Sequence, residues 1–365
     1  MAKFTEIFED VTKQGTKIST NLYLENGLYP IIDQGQSEIA GYTDQTKGLF
    51  TDIPAIIFGD HTRIIKYVDT PCFLGADGVK LLKAKDDNAN YKYLYYALCN
   101  ADIPNTGYNR HFKWLKEIDI PEYPIEEQNR IVAQLKKIDT LIYLRKQQLS
   151  KLDELVKSRF IELFGDLVIG NKINTNKHKI GEIASVTKLA GFEFTKYIQY
   201  KDQGDIIMLR GLNCKKGHLV LDDIKWIDND TSDLLPRSKL HYGDILMTYA
   251  GTIGDVAMVD ADNKYHLAPN VAKITLIDKT SYNPVFLIHL FMYTNDYIMT
   301  FASVVAQASI NMEKIRNFEY YFPPIEKQNA FATFVEQVDK SKLAIQKSLE
   351  KLEILKKSLM QQYFG

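Results

Sequence analysis

The sequence predicts an α+β protein made by internal duplication: two β-rich domains, each followed by one long helix, with the two helices pairing as a coiled coil about a pseudo-twofold. Three observations predict it. A 42-residue segment returns without a gap 200 residues later, from Pro124–Gly165 to Pro324–Gly365. Apolar residues in both copies recur with a 3.5-residue period. The stretches before the copies consist of short β-branched runs punctuated by Gly, Asp and Asn, a composition for strands and turns.

The repeat comes first because it divides the chain. "PIEEQNRIVAQLKKIDTLIYLRKQQLSKLDELVKSRFIELFG" aligns with "PIEKQNAFATFVEQVDKSKLAIQKSLEKLEILKKSLMQQYFG", sharing Gln128/Gln328, Asn129/Asn329, Asp139/Asp339 and Leu155/Leu355 among other identities. Proline at the start, acidic residues in the first turn and glycine past the end punctuate a helix. Ile131, Leu135, Ile138, Ile142, Leu149, Leu152, Val156 and Leu163 form one apolar seam, with Arg145 and Arg159 filling its gaps. Phe331, Val335, Val338, Ile345, Leu349, Leu352, Leu359 and Tyr363 form the other, with Lys342 and Lys356 in its gaps. Each helix spans about five heptads and about 55 Å. The basic seam residues have two readings: contact with an anionic partner, or pairing with Asp and Glu of the facing helix.

The implied domains are 1–123, 124–165, 166–323 and 324–365. Residues 1–123 and 166–323 share a motif order. Val-Thr-Lys occurs at Val11–Lys13 and Val186–Lys188, a strand-like run at Leu28–Gly35 and Asp205–Asn213, and a Gly-Asp pair within Pro54–Val68 and His241–Val259. A helical segment follows near Tyr91–Asn100 and Pro284–Thr300.

Apolar residues make up 45% and charged residues 25%, as in soluble globular proteins. The longest apolar run, near Pro284–Tyr293, is about half a membrane span, and no signal-peptide pattern opens the sequence. A cytoplasmic protein is expected. Cys72, Cys99 and Cys214 lack both disulfide and zinc spacing. His178, His218, His241, His266 and His289 lack ligand spacing, so no metal site is expected. Net charge is −1, and no domain is strongly basic: residues 1–123 carry 13 basic and 17 acidic side chains, residues 166–323 carry 17 and 18. No Gly-Lys dipeptide is present, which excludes a Walker A loop. Phe322-Pro323-Pro324 lacks the leading residue of an adenine-methyltransferase motif and stands at a helix start. A non-catalytic protein is expected.

The duplicated helix opening of the type "P-[LI]-x-E-Q-x-x-I", placed after two variable β-rich domains, resembles the conserved regions of type I restriction specificity subunits. "YPIIDQG", "FGDHTRIIKY" and "GADGVKLL" in the first domain, and "GDILMTYAGTIGDVAMV" in the second, resemble that family's target recognition domains. The resemblance covers the whole chain and implies an antiparallel helix pair. It implies that each domain reads one half of a split double-stranded DNA target. It further implies a bacterial or archaeal host and partners that are two modification subunits and, through the complex, restriction subunits. S-adenosylmethionine, ATP and Mg belong to those partners, with no cofactor in this chain. A coiled-coil adaptor unconnected with restriction is the alternative, but it leaves the shared motifs of the two β-rich domains unexplained.

Reading bases requires paired donors and acceptors, such as Arg on guanine and Asn or Gln on adenine. The candidates in the first domain are Gln34 and Gln36, then His61, Thr62 and Arg63, then Tyr108, Asn109, Arg110 and His111. In the second they are Arg210 and Asn213, Tyr249 and Thr252 in the Gly-rich loop, and Gln307, Ser309 and Asn311.

Overall fold

The computed structural model describes residues 1–75, 77–170, 176–303 and 308–365. The four longest helices among them are α1 (Tyr91–Cys99), α2 (Ile125–Phe164), α3 (Pro284–Tyr293) and α4 (Ile325–Phe364). The repeated segments form α2 and α4, 40 residues each, and start directly after Pro124 and Pro324. Gly165 takes a left-handed φ of 63°, which ends α2 without the Cβ clash any other residue would meet.

The chain divides into two compact units, Met1–Gln147 with Ile345–Gly365, and Gln148–Ala344. The limits at 123 and 165 expected from sequence are therefore helix boundaries rather than unit boundaries. The physical reason is packing, since each half of α2 and of α4 is buried against a different core. In the first unit Ile131, Leu135 and Met360 join Phe4, Phe58, Leu82, Leu94 and Leu115. In the second, Val156, Phe160, Phe331, Val335 and Val338 join Phe286, Phe291 and Ile315. The Phe160 ring lies 5.6 Å from Phe286 and 5.3 Å from Phe331. Truncating it to alanine costs about 3–5 kcal/mol.

Within each unit the two helix segments run antiparallel. In the first unit Gln134 meets Tyr363, Asp139 meets Lys356 and Lys146 meets Glu353. In the second, Asp153 meets Lys342. The two seam lysines thus pair with aspartates of the facing helix, each at 2.6 Å. Arg159 pairs with Glu162 on its own helix at 2.8 Å.

Among the described residues the first unit holds β1 (Ala2–Lys3), β2 (Phe8–Asp10), β3 (Tyr29–Ile32), β4 (Gly41–Thr43), β5 (Ala55–Gly59), β6 (Ile65–Val68), β7 (Phe73–Leu74), β8 (Val79–Ala84) and β9 (Asp119–Ile120). The second unit holds β10 (Asn176–Lys179), β11 (Ala184–Lys188), β12 (Ile206–Leu209), β13 (Cys214–Lys215), β14 (His218–Leu219), β15 (Lys225–Ile227), β16 (Ile245–Thr248), β17 (Val256–Met258), β18 (Tyr265–Leu267), β19 (Val271–Leu276) and β20 (Glu319–Phe322). One topology occurs twice. The four-stranded sheet has order β2-β8-β5-β6 in the first unit and β11-β19-β16-β17 in the second. The three-stranded sheet is β4-β3-β7 and then β15-β12-β18, with β3·β7 and β12·β18 parallel. The hairpin β13-β14 has no counterpart among the described residues of the first unit.

Burial alternates along the central strand of each four-stranded sheet, as the two-residue repeat requires. Ile56 and Phe58 face the helix-side core while Ala55 and Ile57 face the other. In the second unit Ile245 and Met247 face one core and Leu246 the other. The ladder registers correct one expectation. Gly59 closes β5 opposite Val79, and Thr248 closes β16 opposite Val271, so Gly59 corresponds to Thr248. The Gly243-Asp244 pair precedes β16 and is not the equivalent of Gly59-Asp60.

The helix entries are built alike. Asn90 caps α1 by accepting from the Tyr93 amide, and its Nδ2 donates to Asn129 Oδ1 at 2.9 Å. Asn283 caps α3 and donates to Asn329 Oδ1 at 2.8 Å. Gln128 and Gln328 donate to the carbonyls of Tyr123 and Pro323. Each cap is worth about 1 kcal/mol.

Candidate nucleic-acid interface

Three connections of the first unit converge. They are the segment after β3 carrying Gln34 and Gln36, the β5–β6 turn carrying His61 to Arg63, and the segment carrying Tyr108 to His111 before the short helix Phe112–Leu115. Gln34 Oε1 accepts from the His61 amide at 3.1 Å, and its backbone carbonyl accepts from Thr62 Oγ1 at 2.7 Å. Room for the Gln34 side chain depends on Gly78, where a Cβ would stand 2.5 Å from its amide, and Gly78 also takes φ 68°. The His61 ring pairs with the Asn109 carbonyl at 3.2 Å through Nδ1 and stacks on Tyr108. Arg63 is tied down, its Nη1 donating to the Ile103 carbonyl at 3.0 Å. Gln36, Thr62, Tyr108, Asn109 and Arg110 are exposed.

His111 is corrected from base reader to scaffold. It is fully buried, its Nδ1 lies 2.9 Å from the Asp60 carbonyl and its amide donates to that same carbonyl at 2.7 Å. A group with no access to solvent cannot reach a base edge without unfolding the loop. Sequence reasoning missed its partner, Asp60, whose Oδ1 also accepts from the Phe112 amide at 2.8 Å. It missed Lys66 too, buried beneath the first segment and donating to the Ser37 carbonyl at 2.6 Å. The signal available was an Asp directly after the strand-ending glycine.

The topologically equivalent connections converge in the second unit. Arg210 and Asn213 follow β12, Tyr249 and Thr252 lie in the β16–β17 turn, and Ser309 and Asn311 precede the short helix Met312–Arg316. A backbone hydrogen bond joins the last two segments in both units, its donor being the N-cap residue in the first and the residue before the N-cap in the second. The His111 amide donates to the Asp60 carbonyl at 2.7 Å, and the Ile310 amide donates to the Tyr249 carbonyl at 2.8 Å. Ala250 bridges Ser309. Gln307 lies outside the described residues.

Asn213 is likewise corrected to scaffold. It is fully buried, its Nδ2 donates to the Val220 and Asp223 carbonyls, and its Oδ1 accepts from the Arg210 amide. Asn311 is exposed but caps its helix by accepting from the Lys314 amide at 2.8 Å. Arg210 Nη2 is held by Asp223 Oδ1 at 2.7 Å, while its Nε is buried without a partner. Arg210, Thr252 and Asn270 line a cleft of about 500 Å³ with Phe194, Tyr200 and Lys215. Burial pushes the Asp255 carboxyl in this cleft up, and Lys215 pulls it the other way. Lys215 was not singled out from sequence, although the Lys-Lys-Gly turn marks its hairpin.

A family model described as the type I restriction modification DNA specificity domain matches residues 1–154 and 173–356. The chain belongs to that family. It is a type I restriction-modification specificity subunit, the non-catalytic component of such a complex. It is 24% identical over 315 residues to the type I restriction enzyme MjaVIII specificity subunit of Methanocaldococcus jannaschii, covering 79% of this chain and 74% of that one. It is 24% identical over 321 residues to the EcoBI specificity subunit of Escherichia coli, covering 78% and 67%. The S subunit of a type I restriction-modification system from M. genitalium superposes with a TM-score of 0.59 at 16% identity, over 100% of this chain and 95% of that one, and so shares its fold. Among the described residues of this specificity subunit no helix is long and apolar enough to cross a membrane.

Proposed function

We propose that this specificity subunit reads a split double-stranded DNA target, one half through the converging loops of each unit. The observation that carries the reading is the duplication at the loops. The topologically equivalent three connections meet in both units, the last two joined by a backbone hydrogen bond in each, yet they bear different side chains. A shared scaffold with divergent loops is what two readers of different sequence require. Gln36, Thr62, Asn109 and Arg110 present donors and acceptors for the first half-site, and Arg210, Tyr249, Thr252 and Ser309 for the second. Gln34, His61 and Arg63 hold the first set in position, and Gln307 and Asn311 complete the second.

Two modification subunits and, through them, restriction subunits are the protein partners in this reading. S-adenosylmethionine, ATP and Mg act in those subunits, in the cytoplasm. The chain's own part is recognition: the loops choose the site, and α2 and α4 tie the two readers into one polypeptide. A band-shift titration of the full chain with and without its modification subunits, on duplexes with and without the methylated sequence, tests the proposal. Sequence-selective retardation is expected with the subunits present. Equal binding to both duplexes in either case would contradict the proposal.

A further inference from the structure

The most exposed large hydrophobic side chain on the first unit's described loops is Tyr108, 86% accessible. Its ring lies 4.6 Å from the His61 ring with an interplanar angle of 8°, so one face is covered and the other is open to solvent. An apolar face left in water gains nothing for folding, and the surroundings hold it there. Gly107 at φ 77° makes the turn. Asn109 Nδ2 donates to the Thr106 carbonyl at 2.5 Å, and the Gly107 amide donates to Asn105 Oδ1 at 3.2 Å. The His61 ring beneath is fixed twice, because the His61 amide donates to Gln34 Oε1 and its ring Nδ1 faces the Asn109 carbonyl. Beneath all of this His111 anchors the segment to Asp60. The result is a preorganised two-ring stack, displayed beside the exposed Arg110.

We infer that Tyr108 is a stacking platform for the face of an unstacked base in the bound DNA, with His61 as the ring that backs it. The near-parallel spacing is that of an aromatic stack, to which a planar base adds a third layer. Arg110 supplies the neighbouring cation that a phosphate-linked ligand calls for. The inference rests on the reading that the first unit contacts DNA, and it adds a role distinct from edge reading. A base face is common to all four bases, so Tyr108 contributes affinity and local distortion rather than sequence identity.

The test uses the full chain assembled with its modification subunits, and duplexes of the methylated sequence carrying 2-aminopurine at one position at a time. With Tyr108 intact, binding is expected to change the fluorescence at one position in or beside the first half-site. Tyr108→Phe and Tyr108→Trp should keep that change. Tyr108→Ala should abolish it and weaken binding about tenfold, with the methylated sequence unaltered. Because the ring is exposed, the alanine variant should melt with the parent protein. Binding within about twofold of the parent, with the same 2-aminopurine profile, would overturn the inference. So would a Phe variant as weak as the Ala variant, since the hydroxyl rather than the ring face would then be at work. Failure of the underlying reading shows separately, as a first half-site that stays unchanged when the whole first unit is exchanged.

Discussion

Lys356 of α4 places its Nζ 2.6 Å from Asp139 of α2, and the other oxygen of that carboxylate accepts from the Tyr96 hydroxyl at 2.8 Å. One carboxylate therefore holds both the facing helix and a buried tyrosine of α1. Lys342 and Asp153 repeat the helix contact in the second unit. Polar residues at seam positions give up some burial and define which residues oppose one another.

Replacing Asp139 by alanine should cost about 1–3 kcal/mol, because it leaves the Tyr96 hydroxyl and Lys356 unpaired together. Asp139→Lys should cost more through like-charge repulsion, and adding Lys356→Asp should recover part of the loss. The Asp139–Lys356 coupling in a double-mutant cycle by urea denaturation should be about 0.5–1 kcal/mol, since both groups are partly exposed. Strict additivity would remove the pair as a determinant of register.

Burial against Phe331 and Tyr293 lowers the His289 imidazole to about 4, although Nδ1 lies 2.8 Å from the Val285 carbonyl. An unfolded histidine titrates near about 6.5. Between those values the unfolded chain binds a proton that the folded one does not, so stability falls as pH drops from about 6.5 to about 4 and then levels off. Burial lowers His266 as well and acts with the same sign. His289→Gln should flatten part of this slope in pH-dependent melting. An unchanged slope would show that His289 does not stay neutral in the fold.

The helices were legible in the sequence almost to the residue because their signals are local: Pro124, Pro324 and Gly165 punctuate them, and the seam repeats within one helix. The strands were legible in outline, but their pairing was not. The parallel pair Ile31 and Phe73 joins residues with further strands between them in the chain, and no local pattern records it. Within the candidate site the segments were legible and the individual roles were not. Tyr108 and His111 are three residues apart, yet one is exposed and the other fully buried. Residue type states what a side chain is able to bond, whereas burial is decided by the elements around it.

That distinction between reader and scaffold is testable. Asn213→Ala and His111→Ala should destabilise their units by about 1–3 kcal/mol, because buried partners lose their hydrogen bonds. Arg110→Ala and Thr252→Ala should leave melting within about 0.5 kcal/mol and weaken binding to the first and second half-site respectively. Methylation kinetics on single-base variants of each half-site would separate the outcomes. The assignment fails if His111→Ala keeps full stability while altering base preference.

Lys215 ends strand β13, and Lys216 and Gly217, both left-handed at φ 50° and 84°, form the turn of the β13-β14 hairpin. Lys215 lines the cleft beside Arg210 and Thr252. If these ammonium groups neutralise phosphates, the alanine variants should reduce the slope of log affinity against log salt by about 0.9 for each phosphate no longer neutralised. The methylated sequence should not change. An identical salt slope would place the hairpin off the DNA.

The central claim, that each unit reads its own half-site, is tested most directly by exchanging one whole unit. Ile131, Leu135 and Met360 belong to the first unit's core, so the exchange should take residues 1–147 and 345–365 together from another family member. Methylome sequencing of a host expressing the chimera with its modification subunits then gives the outcome. The account predicts that the first half of the methylated sequence takes the donor's identity and the second half stays as in the parent. Retention of the parent's first half, or a change in both halves at once, would contradict it.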